Sequence, residues 1–357
     1  MGRCNRRAIF WHARPVIDKA SAGDRPAGHI IPSLPTSTEK LVTLEEIRAA
    51  AARVAPIARV TPVLDVSAAA GFRLLLKCEC LQPGGAFKIR GAYNMVAQLT
   101  SAQRHRGVVT FSSGNHGQAM ALAARELGAP AVVVMPTTAP QVKVDGTRSF
   151  GAEVIFAGTT STERRARAEA EASARGLTMV PPFDHEWIIA GQGTAGLEIL
   201  EQVPDVAAVL VPIGGGGLAA GVAAAIKLTR PGVTVVGVEP AGAAAMKASI
   251  DAGHVVTLDR TDSIADGLMP VRPGDLTFAH VRRFVDRVVT VEDGQIVDAV
   301  LWTFDHARIV AEPSGAASVA AALAGAAGVD GPVVAIVSGG NMGVERLDEL
   351  RRTRQRS

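Results

Sequence analysis

From Thr43 onward the apolar and polar positions of this chain alternate between two patterns. Short, nearly unbroken apolar runs occur at Gly107 to Ser112, Ala131 to Met135, Glu153 to Phe156, Ala208 to Ile213, Val233 to Val238 and Val333 to Val337. Alanine-rich stretches with apolar residues three and four apart lie between them. Runs that are apolar on both faces read as strands of a sheet covered on both sides, and the intervening period of about 3.6 reads as helix. The pattern therefore predicts an α/β fold with mainly parallel sheets covered by helices. The first helix carries its own start signal, since Thr43 can cap it with Glu46 three residues on, and Ile47, Ala50, Ala51 and Val54 follow at helical spacing. Residues 107 to 183 are read as four short strands separated by three helices, enough to close a small lobe. The expected division is a disordered extension over 1–40, a large domain from 41–106 and 184–350, a small mobile domain over 107–183, and a basic tail over 351–357.

Composition narrows the class without choosing a function. The 357 residues are 48% hydrophobic with 37 Gly and 20 Pro, enough to bury one large core or two coupled lobes. No stretch approaches the roughly 20 apolar residues of a bilayer span, and the first 40 residues lack a secretory apolar block, so the expected location is soluble and cytoplasmic. The formal charge is +3, but residues 1–26 and 351–357 each carry four net positive charges, which leaves the body at −5. A basic balance confined to the ends gives little support for a nucleic-acid or membrane partner. Cys4, Cys78 and Cys80 are an odd number. The close pair reads as strand residues, since no second Cys/His pair at ligand spacing accompanies it.

In doubly covered parallel sheets, ligands sit beyond the carboxyl ends of the strands, so the loops after strands carry the chemistry. Gly214-Gly215-Gly216-Gly217-Leu218 follows one strand and leads into a helical run from Ala219 to Leu228. Four glycines let backbone N–H groups approach a phosphate at a helix N-terminus. Gly215, Gly217 and Ala220 also fit the spacing of a dinucleotide loop, with Glu239 about 20 residues later. An NAD-dependent oxidoreductase is therefore the rival from a different class. Ser112-Ser113-Gly114-Asn115-His116-Gly117 follows another strand and offers donors for a carboxylate. Ser, Asn and Gly are also ordinary capping residues, and His116 alone reads as a local hydrogen-bonding residue. Lys88 lies between a glycine turn and an apolar helix start, where desolvation and the positive helix end favour a neutral amine able to attack an aldehyde.

Together these segments resemble the serine/threonine dehydratase family of fold type II pyridoxal-phosphate enzymes, which includes serine racemase and threo-3-hydroxyaspartate dehydratase. The resemblance runs from about residue 43 to 348. It rests on Lys77-x-Glu79-x-x-Gln82 through Phe87-Lys88-Ile89-Arg90-Gly91-Ala92, on Ser112 to Gly117 and on Gly191-Gln192-Gly193-Thr194. Gly214 to Leu218, Ile264-Ala265-Asp266-Gly267, Glu312-Pro313 and Ser338-Gly339-Gly340-Asn341 complete it.

The resemblance implies a two-lobed, tryptophan synthase β-like fold with pyridoxal 5′-phosphate carried on Lys88 beside Phe87, in the large domain. It implies that Gly214, Gly215, Gly216, Gly217 and Leu218 hold the phosphate, Asn115 the ring hydroxyl, and Ser338 the pyridine nitrogen, with Glu312 nearby. It places the substrate carboxylate on Ser112, Ser113, Gly114, Asn115 and His116. A neutral hydroxyl at the ring nitrogen keeps the ring a weaker electron sink than a carboxylate would, which favours β-elimination over transamination. The implied reaction is dehydration and deamination of L-threonine or L-serine. Lys88 would take the α-proton, and the β-hydroxyl would leave protonated from the phosphate side. Serine racemisation shares every motif, with Ser113 as the second acid/base on the face opposite Lys88. A homodimer is usual in the family. Two departures stand out: Ala86 replaces a common Ser before Phe87-Lys88, and Ala245 replaces the second carboxylate of relatives that bind a divalent cation. No tight Mg²⁺ or Ca²⁺ site is expected. The position of the C-terminus leads to the expectation of no regulatory domain and no isoleucine feedback.

Overall fold

Among the described residues ten strands form two sheets, β1 Val63–Asp65, β2 Leu74–Lys77, β3 Val108–Phe111, β4 Ala131–Met135, β5 Glu153–Phe156, β6 Thr178–Met179, β7 Ala208–Pro212, β8 Thr234–Pro240, β9 Arg287–Val291 and β10 Val333–Ile336. The computed structural model describes residues 40–356 apart from Ser113 and Pro140. The expected extension over residues 1–39 lies outside the described residues. The six-stranded sheet runs β1-β2-β10-β7-β8-β9, and only the β1–β2 pair is antiparallel. The four-stranded sheet runs β5-β4-β3-β6 and is wholly parallel.

The two-residue period of a strand explains the apolar runs. In β7, Val209 and Val211 face helices Leu44–Val54, Glu186–Gln202 and Gly217–Thr229, while Ala208 and Leu210 face helices Asp293–Ala307 and Pro313–Leu323. Both faces are dry, so no position in the run can be polar. The small sheet repeats the arrangement: Val108, Val133 and Met135 pack on helices Lys88–Ala97 and Asn115–Glu126, and Val109, Val132 and Val134 pack toward Ala168 of helix Ser161–Arg175. Thr43 caps helix Leu44–Val54 in a reciprocal box with Glu46, as its spacing predicts.

The Gly191-Gln192-Gly193 motif has a packing cause. A Cβ on Gly191 would lie 2.7 Å from Arg90 O and from Gly91 Cα, and one on Gly193 would lie 2.9 Å from Gly221 O. Helix Glu186–Gln202 is thus wedged, backbone to backbone, between the Lys88 helix and the helix that follows the glycine loop.

Two local readings are corrected. Cys78 and Cys80 are not strand residues: the chain leaves β2 at Lys77 and makes a 3₁₀ turn over Glu79–Leu81, because Glu79 is drawn into buried ion pairing with Arg90. The helices after the two ligand loops begin inside the motifs, at Asn115 and Gly217. Residues 351–356 continue helix Val344–Arg356, with Arg352 paired to Asp348 and Arg354 to Asp298. Among the described residues no helix is long and apolar enough to cross a membrane.

Candidate active site

The loops after β3, β7 and β10 converge with the N-terminus of helix Lys88–Ala97. Gly84 and Gly85, both at positive φ, turn the chain so that Ala86 bridges Gly339. Phe87 N donates to Ser338 O at 3.1 Å and Gly340 N to Gly85 O at 2.9 Å, so the Lys88 turn and the Ser338–Asn341 loop are stitched together. Lys88 is the first residue of its helix, and its Nζ donates to Pro182 O at 2.7 Å. Burial lowers this amine to about 8. A neutral fraction therefore exists near neutral pH, which an exposed lysine would lack.

The glycine loop joins β7 to helix Gly217–Thr229. None of the N–H groups from Gly214 to Leu218 donates to another described residue, so a row of backbone donors is free at a helix N-terminus. Gly216 has φ +98°, and a Cβ on Gly215 would lie 2.3 Å from the Phe183 ring. The Thr277 hydroxyl fixes the loop from below by donating to Gly215 O at 2.7 Å. Such a cradle suits a phosphate.

Opposite lies the loop after β3. The Ser112 hydroxyl accepts from Gly114 N at 3.2 Å. Asn115 Nδ2 donates to Glu312 Oε1 at 2.5 Å, and Asn341 Nδ2 donates to Asn115 Oδ1 at 3.0 Å. Burial pushes Glu312 up to about 7, with Asp266 adding to the rise and Asn115 opposing it. His116 faces Val180 O at 3.2 Å, and burial together with the nearby Lys88 charge depresses it to about 3. It is therefore neutral. Ser338 is buried, and among the described residues no group bonds its hydroxyl. Ser113 lies outside the described residues.

Three contributors carried no sequence signal of their own. Lys143 pairs with Asp266 across 123 residues and reaches to 3.5 Å from the Cβ direction of Gly114. The Pro182 carbonyl and the Phe183 ring enter from the segment after β6. With Phe111, Met179 and Arg272 these two help enclose a cavity of about 240 Å³. Asp266 and Asn341 stand in quoted motifs, but only the fold shows what they touch.

The dinucleotide reading fails at Glu239. Its two oxygens accept from Met246 N and Lys247 N, both at 2.8 Å, capping helix Ala245–Ala252 instead of facing the glycine loop. Among the described residues no group of three His, Cys, Asp or Glu is placed to hold a metal ion. A lysine of lowered basicity, a free donor row and a pocket of neutral donors together fit a phosphorylated aldehyde cofactor.

The comparisons agree with this chemistry. The family described as pyridoxal-phosphate dependent enzyme matches residues 54–339. The chain is 43% identical over 314 residues to an L-threonine ammonia-lyase of Thermotoga maritima, covering 87% of this chain and 78% of that one. It is 42% identical over 308 residues to a serine racemase of Oryza sativa subsp. indica, covering 84% and 91%. The solved structure of maize serine racemase superposes with a TM-score of 0.83 at 40% identity, covering 89% of this chain and 99% of that one. The chain belongs to the fold type II pyridoxal-phosphate enzymes, in the group of threonine dehydratases and serine racemases, with pyridoxal 5′-phosphate as its cofactor.

Proposed function

We propose that this enzyme removes water and ammonia from a small L-hydroxy-amino acid, L-threonine or L-serine, to release a 2-oxo acid. The observation that carries the reading is that Lys88, among the described residues, is a basic side chain at these loops without an acidic partner. Lys143 is paired with Asp266, and His116 is held neutral by burial. Lys88 is then a base ready for elimination, which needs a proton acceptor on one face only.

Lys88 and Phe87 would hold the cofactor with Asn115, Glu312 and Ser338, and the N–H groups of Gly214, Gly215, Gly216, Gly217 and Leu218 would hold its phosphate. Bound pyridoxal phosphate supplies an aldehyde that captures amines and a ring that spreads the electron pair left at the α-carbon. Ser112, Ser113, Gly114, Asn115 and His116 would receive the substrate carboxylate. The neutral form of the Lys88 amine would take the α-proton while the β-hydroxyl, protonated from the phosphate side, departs as water. The enamine released then hydrolyses to oxo acid and ammonia. Residues 107–183 would move as a small domain that shuts water out, and the working form would be a homodimer.

The racemase reading is the second, because a relative of equal similarity bears that name and Ser113 would supply the second acid/base. The test is 2-oxo acid release from L-threonine, L-serine and threo-3-hydroxyaspartate with pyridoxal phosphate present. Oxo acid from one of them supports dehydration and names the substrate. Release from none, with D-serine formed from L-serine, replaces it with racemisation.

A further inference from the structure

No step of this reaction uses Lys77, Glu79, Gln82 or Arg90, yet all four are buried. Arg90 Nε donates to Glu79 Oε2 at 2.7 Å, and Nη2 donates to Glu79 Oε1 and Glu198 Oε2, each at 2.8 Å. Nη1 donates to Glu198 Oε1 at 2.6 Å and Thr194 Oγ1 at 3.0 Å. Lys77 Nζ donates to Glu198 Oε2 at 2.5 Å, Gln202 Oε1 at 2.8 Å and Thr61 O at 2.9 Å. Glu79 also accepts the Thr61 hydroxyl at 2.6 Å. Burial alone would raise the Glu79 carboxyl, but the Arg90 guanidinium holds it below the usual range.

Two cations and two carboxylates sum to zero. They join β2, the 3₁₀ turn, helix Glu186–Gln202 and the first turn of the Lys88 helix. Residues two apart on a helix point about 200° from each other, so this cluster grips the face opposite the Lys88 amine. A buried ion network contributes little net stability over well-packed apolar residues, so a role in specifying geometry accounts for it better.

We propose that Lys77, Glu79, Arg90 and Glu198 act as a charge-balanced positioning unit for Lys88, clamping the first turn of its helix while presenting no net field to the amine. Burial is the cause that lowers Lys88. His116, from helix Asn115–Glu126, is lowered by burial and by the nearby Lys88 charge and is neutral. Lys143, Asp266 and Glu312 gather instead around Gly114 and Asn115.

The inference rests on Lys88 being the cofactor lysine. The full chain is mixed with pyridoxal phosphate at pH 6 to 10, the lysine–cofactor bond is trapped with borohydride at timed points, and modified Lys88 is quantified by peptide mass spectrometry. Glu198→Gln or Glu79→Gln leaves one positive charge and moves the half-point of the pH profile down by on the order of one pH unit. Arg90→Met leaves one negative charge and moves it up by a similar amount. The double variant Arg90→Met/Glu198→Gln returns it to the parent value, and Arg90→Lys leaves it in place while turnover falls. Lower melting temperatures with an unmoved half-point in every variant would reduce the cluster to a structural one and overturn the proposal. If Arg90→Met does not accumulate folded, the two Glu→Gln variants decide by the sign of their shift. A trapped peptide lacking Lys88 defeats the reading of Lys88, whereas a trapped Lys88 with a fixed half-point defeats only the positioning claim.

Discussion

Replacing Glu239 by glutamine should remove a pH-dependent weakness from the large sheet. Glu239 is fully buried at the end of β8, and burial raises its carboxyl to about 7 although Met246 N and Lys247 N donate to it. The ordinary value is 4.5, so between 4.5 and about 7 the folded protein holds a proton that the unfolded chain has lost. Stability from this group is therefore complete below 4.5 and is lost as pH rises through 7. Integrating from pH 5 to pH 8 gives a loss of about 2.5 kcal/mol, at roughly 1.4 kcal/mol per pH unit in the full-slope region. Glutamine cannot titrate and can still accept an N–H, so Glu239→Gln should carry a constant offset of about 1 kcal/mol from a weaker cap and no such slope. Glu312, raised in the same direction, is common to both proteins and cancels in the difference. Urea unfolding followed by circular dichroism at pH 5 and pH 8, at one saturating cofactor concentration, measures it. An unchanged difference between parent and variant at the two pH values would refute the assignment of a buried, protonated Glu239.

Lys88→Ala should abolish the visible absorbance that survives dialysis and at least 1,000-fold of the turnover, read by spectrophotometry and oxo-acid release. Gly215→Ala drives a methyl into the Phe183 ring, so cofactor affinity should fall at least tenfold by fluorescence titration, at a cost of about 1–3 kcal/mol in stability. Asp184→Ala leaves the N–H groups of Asp275 and Thr277 without their cap, which lowers stability by about 1–2 kcal/mol in denaturant titration. Because Thr277 also bonds Gly215 O, cofactor affinity should weaken with it. His280 Nε2 accepts from Val42 N, and burial lowers its basicity, so acid should release the 40–42 segment; the protection factor of Val42 in hydrogen exchange, corrected for the intrinsic rate at each pH, should fall as pH falls, and His280→Gln should flatten that dependence.

What could be read along the chain was what has a local cause. Five of the six predicted strands are buried on both faces, so their positions are written as unbroken apolar runs; the sixth, β5, is an edge strand with Glu153 and Phe156 exposed. The strands that escaped notice lack that signature. β9 carries Arg287 and Thr290, and β2 ends in a buried lysine; β6, the fourth strand expected within 107–183, has two residues and so no run to place it. The glycine loop was legible because a backbone cradle demands missing side chains in a row, and Thr43 with Glu46 because a capping box spans four residues. Lys88 was legible because a glycine turn, an apolar flank and a helix start all fall within a few positions of it.

The sequence by itself determined the α/β class, the positions of the two glycine-bearing loops that follow strands and of Lys88 at a helix start, and through the joint spacing of its motifs the family. Tertiary structure alone decided the role of each charge. Lys143 meets Asp266 across 123 residues, Asn115 meets Glu312 across 197, and Arg90 meets Glu198 across 108. It also turned Glu239 away from a nucleotide and toward a helix end. Electrostatic energy depends on distance and on exclusion of water, and both are set by which segments the chain brings together, so no local window of residues contains them.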